Sequence, residues 1–80
     1  MRVVLVEPFA REFFAGRESF ELDAGNLFAL VRVLDAIGPG FADAAQERAA
    51  IAVDGTVLAD WSASLAGAGE VLIVPKIAGG

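Results

Sequence analysis

The residues with the most distinctive chemical use in this sequence are two glycines at its carboxyl end, Gly79 and Gly80. A residue without a side chain can enter an active site too narrow for a larger one, and the main-chain carboxyl group of Gly80 is then available to another protein. We therefore expect Gly80 to be the reactive residue. The alternative is that the glycine pair is an inert chain end.

Most other catalytic groups are missing from the sequence. The 80 residues include no His and no Cys, which removes thiol nucleophiles, imidazole bases and the usual nitrogen and sulfur ligands of metals. A carboxyl group that a partner activates needs no base or nucleophile in its own domain. The sequence therefore predicts that this protein is not itself an enzyme and binds neither a metal nor a cofactor.

The remaining polar candidates have simpler structural explanations. Asp54 precedes Gly55 and is typical of a turn, and Asp60 is expected in a loop or a cap. Lys76 lies beside the carboxyl end, where an exposed lysine is usually only solvated. We assign no catalytic role to any of the three.

Composition and charge narrow the range of partners. Eleven acidic residues against six basic ones give a net charge of −5, the wrong sign for a surface that binds the phosphates of nucleic acid. No apolar run approaches the roughly 20 residues that cross a bilayer, and the run at residues 3–6 is too short for a signal peptide. We expect a cytoplasmic protein that binds neither nucleic acid nor a membrane.

Two segments in the first part of the chain favour strands. Residues 2–7 are apolar on both faces, which predicts a strand inside the sheet rather than at its edge. Residues 18–23 alternate with period two, which predicts a strand with Phe20 and Leu22 on its buried face.

Two further signals indicate strands in the second part of the chain. The dipeptide Asp54-Gly55 tolerates positive φ at both positions and predicts a hairpin between residues 51–53 and 56–58. Residues 71–74 predict a final buried strand that Pro75 closes.

The main helix is predicted from an apolar stripe. Leu27, Leu30, Val31, Leu34 and Ile37 share one face of a helix, and Gly38-Pro39-Gly40 is a strong stop signal. An alanine-rich second helix is expected over residues 41–49.

Three aromatic rings lie in the connection between the first two strands. Phe9, Phe13 and Phe14 make this connection more apolar than a tight turn, and we consider them a candidate partner surface, with core packing as the alternative. Trp61 and Leu65 are expected to anchor a later loop to the core. The sheet face opposite the main helix is a second candidate docking surface, unless residues 41–49 or the Trp61 loop cover it.

These elements predict an α+β fold, in which one main helix packs on one face of a mixed sheet of four to five strands. The expected organisation is a single domain over residues 1–75, followed by a flexible tail over residues 76–80. Five residues extend at most about 17 Å, which is enough to reach into a partner's active site.

The end of the chain resembles that of a known family. The sequence Gly-Glu-Val-Leu-Ile-Val-Pro-Lys-Ile-Ala-Gly-Gly over residues 69–80 is similar to the carboxyl terminus of the MoaD/ThiS family, which are ubiquitin-like β-grasp sulfur carriers and include the molybdopterin synthase small subunit. Phe-Ala-Arg-Glu at residues 9–12, Ala-Gly at 15–16, the second strand with Ala-Gly at 24–25, and Val-Asp-Gly at 53–55 are also similar to family features.

The resemblance implies a function. A ubiquitin-activating-type adenylating enzyme would use ATP to adenylate the Gly80 carboxylate, and a sulfur donor would convert it to a thiocarboxylate. Ile77, Ala78 and Gly79 would thread the active site of the partner, and a sulfur-accepting synthase subunit would receive the sulfur. Molybdopterin is the expected product, with the thiazole of thiamin among the other sulfur-containing metabolites left open.

Two departures from the family pattern leave the pathway open. This chain has Ala68-Gly69-Glu70 where family members often have Gly-Asp-Glu, and Pro75-Lys76 where they often have Pro-Pro. Neither departure affects the glycine pair. The alternative function is that of a β-grasp interaction module, or of a ubiquitin-like modifier that is joined to amines without sulfur transfer.

Overall fold

The computed structural model describes residues 1–76, which form an α+β domain of five strands and three helices. In chain order the elements are β1 (Arg2–Leu5), α1 (Phe9–Phe13), β2 (Ser19–Glu21), α2 (Leu27–Ile37), α3 (Phe41–Arg48), β3 (Ala49–Val53), β4 (Thr56–Val57) and β5 (Glu70–Pro75).

The strands form one mixed sheet in the order β2-β1-β5-β3-β4. The last strand in sequence, β5, lies at the centre, parallel to β1 and antiparallel to β3. The other neighbours pair antiparallel. The sheet therefore has the predicted mixed character with five strands, and β1 has a neighbour on each side, as its two apolar faces indicated.

The core lies between one face of this sheet and the helices. Alternate residues of the strands point to this inner face, because successive side chains of a strand point to opposite sides. They are fully or almost fully buried together with the apolar stripe of α2. The strand residues of this cluster are Val3, Leu5, Phe20, Ala49, Ile51, Val71 and Ile73.

The main helix has the predicted bounds. Asn26 caps its start by accepting a 2.8 Å hydrogen bond from the Ala29 N–H, which satisfies one of the free donors of the first turn. Four of the five residues in the predicted stripe are buried, but Ile37 is 47% exposed. The prediction was wrong for Ile37, which is the last helical residue and lies at the end of the packed face.

The helix ends at Gly38 for a reason that differs from the prediction. Gly38 has a φ of −125°, outside the left-handed region, and its N–H donates to the Leu34 carbonyl. A Cβ at Gly38 would instead collide with the main chain of Phe13. The left-handed residue of this turn is Gly40, with a φ of 98°.

The short helix α1 is the one element that the sequence did not indicate. It is five residues long, so it is too short to show helical periodicity in the sequence. The rings of Phe9 and Phe13 in α1 and of Phe14 after it pack edge-on against the ring of Phe41 in α3. The distances between ring centroids are 5.2 to 5.9 Å. The connection between the first two strands is therefore part of the core.

The predicted second helix and hairpin are confirmed. α3 covers residues 41–48 of the expected 41–49. Asp54 and Gly55 both have positive φ, 48° and 88°, between β3 and β4, as the turn chemistry requires.

Candidate functional site at the end of the central strand

The carboxyl end of β5 is fixed in place by main-chain hydrogen bonds. Val74 and Pro75 lie opposite Ala50 and Ala49 in the ladder, and Lys76 N–H donates to the Arg48 carbonyl over 2.7 Å. Pro75 is the last residue of β5, which therefore ends one residue beyond the strand predicted over residues 71–74. The covalent link to residues 77–80 therefore starts from a rigid point at the end of the central strand.

Arg48, to which Lys76 is bonded, is itself fixed by an ion pair across the fold. Its guanidinium donates two hydrogen bonds, 2.9 and 3.3 Å, to the two carboxylate oxygens of Glu12 in α1. It also lies 5.6 Å from the centre of the Phe9 ring. The bonds from Arg48 hold the pKa of Glu12 below its usual value and raise the pKa of Arg48.

The outer face of the sheet, opposite the helices, carries a second set of apolar residues. The pairing places Val4, Leu72, Ala52 and Val57 in one row across four adjacent strands. The first three are half-buried and Val57 is 65% exposed. We call this row, together with Val6, Ala50 and Val74 beside it, the outer apolar face.

No element of residues 1–76 covers the outer apolar face. The buried residues of α3 belong to the core cluster on the inner side. Trp61 packs on Phe28 of α2, with ring centroids 5.6 Å apart, and its carbonyl accepts the N–H of Leu27. Within the described chain, residues 41–49 and the Trp61 loop both pack on the helix side of the sheet. The expectation that one of these segments covers the outer face is therefore wrong.

The structure corrects the prediction that three rings form a partner surface. Phe9 is 1% exposed and Phe14 is 6% exposed, and Phe13 is half-buried between Phe14 and Phe41. Burial in a shared aromatic cluster leaves Phe9 and Phe14 unavailable to a partner, so the core-packing alternative is correct for them.

The other predicted site residues, Ile77, Ala78, Gly79 and Gly80, lie outside the described residues, as does the greater part of the predicted tail. The proposed domain boundary after residue 75 stays a prediction.

The two aspartates interpreted as structural have structural partners. Asp54 Oδ1 accepts hydrogen bonds from Gly69 N–H, 3.1 Å, and Glu70 N–H, 2.9 Å, which tie the hairpin to the start of β5. Asp60 accepts from the hydroxyl and N–H of Ser62, and these bonds lower the pKa of Asp60.

The described residues offer no metal centre. Among residues 1–76, no group of three or more acidic, His or Cys side chains is arranged to hold a metal ion. Within the same residues, no helix is long and apolar enough to span a membrane.

One surface feature was not predicted from the sequence. A groove of about 560 Å³ lies beside β3 and β4, with Phe28, Trp61 and Lys76 among its lining residues. Trp61 was expected to anchor a loop to the core. The sequence signal for the groove is Phe28, an apolar residue of α2 that lies outside the buried stripe, but a single apolar residue at such a position is a weak signal.

No protein-family model matches this sequence, and comparison with curated proteins gives no significant match.

Proposed function

We propose that this protein is a carrier of the ubiquitin-like β-grasp class, similar to the MoaD/ThiS sulfur carriers, and that its reactive group is the Gly80 carboxylate. The five-stranded order, with the parallel pair β1 and β5 in the interior and α2 across one face, is compatible with that fold. The resemblance of residues 69–80 to the family's carboxyl end supports the choice.

The placement of Lys76 is the observation that carries the proposal. Its main chain is bonded to Arg48 at the end of the central strand, and Arg48 is fixed in turn by Glu12. A rigid attachment point lets a partner recognise the folded domain while acting on a group four residues further along the chain. Four residues reach at most about 14 Å from this point.

The outer apolar face supports the same proposal by offering a surface for recognition. An apolar row bordered by charges at one end, Arg2, Glu21 and Glu70, has the composition of a protein-binding patch. Since β5 contributes Leu72 and Val74 to this face, a partner bound there would be close to the strand that leads to Gly80.

The proposed reaction has two steps. The Gly80 carboxylate attacks the α-phosphorus of ATP, which releases pyrophosphate and leaves an acyl-adenylate. Hydrosulfide then attacks the carbonyl carbon, the bond from that carbon to the AMP oxygen breaks, AMP leaves and a thiocarboxylate remains after loss of a proton. After these two activation steps, the sulfur bonds to an acceptor held by a synthase subunit as a leaving group departs from the acceptor, and water then cleaves the bond between this sulfur and the Gly80 carbonyl carbon, which restores the carboxylate. The residues of this chain supply the carboxylate and the recognition surface, and a partner enzyme supplies the catalytic groups.

Intact-mass spectrometry tests the proposal. The protein is incubated with an adenylating enzyme of the MoaD/ThiS systems, Mg-ATP and sodium sulfide. We expect a mass increase equal to the difference between sulfur and oxygen, which disappears when Gly80 is deleted. Gly25→Ala is the matched control, because a Cβ there meets no atom within 4 Å, and this variant should be converted like the unmodified protein.

The same experiment addresses the alternative function. An unchanged mass, with no ATP–pyrophosphate exchange that depends on Gly80, would contradict carrier chemistry. Formation of an adduct with a lysine of another protein, without sulfur, would instead identify a modifier.

A further inference from the structure

The groove beside β3 lies where the described chain ends. Lys76, the last described residue, is one of the residues that line it. Its main chain is fixed by the bond to the Arg48 carbonyl, and its Nζ donates over 3.4 Å to the carbonyl of Gln46, which also lines the groove. Residues 77–80 are therefore joined directly to the wall of this groove.

The walls of the groove are mainly apolar and open to solvent. On the helix side, Phe28 is 52% exposed and packs edge-on against the half-buried Trp61. On the strand side, Val57 is 65% exposed and Leu58 is half-buried. Large apolar side chains that are exposed around one depression are typical of a surface that another apolar group covers.

Two cations lie in or next to these walls. A second groove of about 380 Å³ adjoins the first, since both are lined by Phe28, Gln46 and Trp61, and Arg32 lies in its wall. No carboxylate of residues 1–76 lies within 4.0 Å of the Arg32 guanidinium or of the Lys76 ammonium.

The two carboxylates in the same walls already accept hydrogen bonds. Asp60 accepts from the hydroxyl and N–H of Ser62, and Asp35 Oδ1 accepts from the N–H groups of Gly40 and Ala42. Among the described lining residues, the charges without an opposite partner are therefore the two cations. The two grooves together favour an occupant that is apolar at one end and anionic at the other.

The segment that follows Lys76 has this composition. Ile77 and Ala78 are apolar, and the glycine pair after them has no side chains. In the proposed function Gly80 carries a free carboxylate, and four residues can bring it up to about 14 Å from Lys76. The segment thus offers an apolar residue beside the apolar walls and an anion within reach of the second groove.

The covalent link makes a weak contact sufficient. A ligand joined to its site by a short flexible linker has an effective concentration in the millimolar range. Burial of the Ile77 side chain favours docking, and the loss of backbone freedom over four residues opposes it. These opposing contributions give a contact that forms within one chain and that a partner can displace.

We propose that residues 77–80 dock in this groove of their own domain, with Ile77 against the wall formed by Phe28 and Trp61 and the Gly80 carboxylate toward Arg32. The docked segment holds the reactive group against the domain until a partner takes it up. The placement of the carboxylate rests on the proposed function, whereas the docking of Ile77 does not.

The position of the groove suggests how a partner frees the segment. The groove shares Ala50 and Val57 with the outer apolar face. A partner that covers this face therefore covers part of the groove, and the docked segment is displaced. Recognition of the domain and release of the carboxylate are coupled in this way, a step that also rests on the proposed function.

Trp61 fluorescence tests the docking with the protein alone. Trp61 is the only tryptophan in the sequence, so the emission reports on this wall. Deletion of residues 77–80 should shift the emission maximum to longer wavelength and increase quenching by acrylamide, because the ring loses its cover. Ile77→Ser should cause most of the same change at full length.

Ile37→Ser is the matched control for Ile77→Ser. Ile37 is also an exposed isoleucine, and it lies at the other end of α2, about 14 Å from Phe28 along the helix axis. This variant should leave the emission and the quenching unchanged.

Backbone NMR relaxation tests the placement of the segment. We expect positive heteronuclear NOE values at Gly79 and Gly80 in the unmodified protein, and lower values in Phe28→Ala, which removes part of the apolar wall. Arg32→Gln should lower the value at Gly80 more than at Ile77, because only the carboxylate contact is lost.

ATP–pyrophosphate exchange with the adenylating enzyme tests the release. Docking reduces the fraction of chains that are ready for the partner, so Phe28→Ala should reach half-maximal exchange at a carrier concentration about two- to fivefold lower than the unmodified protein. Ile37→Ala should match the unmodified protein. An equal or higher concentration for Phe28→Ala would contradict the coupling between recognition and release.

The outcomes separate this inference from the proposed function. Unchanged Trp61 emission and quenching after deletion of residues 77–80, with negative NOE values at Gly79 and Gly80 in the unmodified protein, would overturn the docking even if the carboxylate is converted to a thiocarboxylate. Docking without any exchange would contradict the carrier chemistry alone. Shielding of Trp61 that rises with protein concentration would assign the groove to a second copy of the chain and overturn the inference.

Discussion

The main-chain carbonyl of Phe13 lies so close to the Cα of Gly38 that a Cβ on Gly38 would fall less than 3.0 Å from it. Two parts of the chain that are 25 residues apart, the end of α1 and the end of α2, are in this way packed backbone against backbone. The contact fixes α1, and with it Glu12, relative to α3 and the exit of β5.

Gly38→Ala should therefore destabilise the protein. Because the atom that would be displaced belongs to the backbone, α1 must shift, and we expect a loss of about 1–3 kcal/mol in the free energy of unfolding, as for other overpacked sites. Urea denaturation followed by circular dichroism measures it. Gly25→Ala, at an open site with ordinary φ, is the control, and an equal loss in both variants would contradict the close-contact explanation.

The aromatic cluster should be the most sensitive part of the core. Phe41 is fully buried and contacts the rings of Phe9, Phe13 and Phe14. We expect Phe41→Ala to cost about 3–5 kcal/mol of unfolding free energy through lost burial and the cavity it creates. Phe28→Ala removes the same atoms from a half-exposed position and should cost less than half as much. Similar losses would show that the cluster is not tightly packed.

The ion pair between Glu12 and Arg48 should make stability depend on pH. The pKa of Glu12 is lowered in the folded state by the bonds from Arg48, so its contribution is present above the unfolded pKa, near 4.5, and is lost as the pH falls through the folded value. Glu12→Gln should lower the Tm at pH 7. The difference in Tm from the unmodified protein should shrink to nothing once the pH is below the folded-state pKa of Glu12, because the carboxyl group is then protonated.

Glu18→Gln is the control for this pH series, since Glu18 forms no ion pair within residues 1–76. A Tm difference between Glu12→Gln and the unmodified protein that is constant from pH 7 to pH 3 would show that the effect of the substitution is not electrostatic.

Substitution of Asp54 should destabilise the turn in two ways, through strain at its positive φ and through loss of the carboxylate that accepts hydrogen bonds. Asp54 has a φ of 48° and bonds the N–H groups of Gly69 and Glu70. We expect Asp54→Ala to cost about 1–2 kcal/mol, because alanine is strained in the left-handed region and leaves both donors without the carboxylate. Asp54→Asn tolerates that conformation and keeps one oxygen, so it should cost less. Thermal unfolding of the two variants compares them, and equal stability would contradict this role.

Local patterns predicted most of the secondary structure. The stripe beginning at Leu27 gave the bounds of α2, and the dipeptide at Asp54 gave the hairpin, because in both cases the signal lies within a few neighbouring residues. The helix α1 was not predicted, since five residues are too few for a periodic signal and its stability comes from contacts with α3. The same distant contacts explain why Phe9 and Phe14 are core residues rather than a partner surface.

The features of the candidate site were likewise predictable from the sequence only in part. The sequence by itself determined the class of the fold, the absence of His and Cys chemistry and the glycine pair at the carboxyl end, because these follow from composition and from local order along the chain. Only the tertiary structure decided that Lys76 is held by Arg48, that one sheet face stays uncovered within residues 1–76, and that a groove with Phe28 and Trp61 in its wall lies beside β3. These relations join residues far apart in sequence, and their geometry is set by how the helices pack on the sheet, which no local pattern encodes.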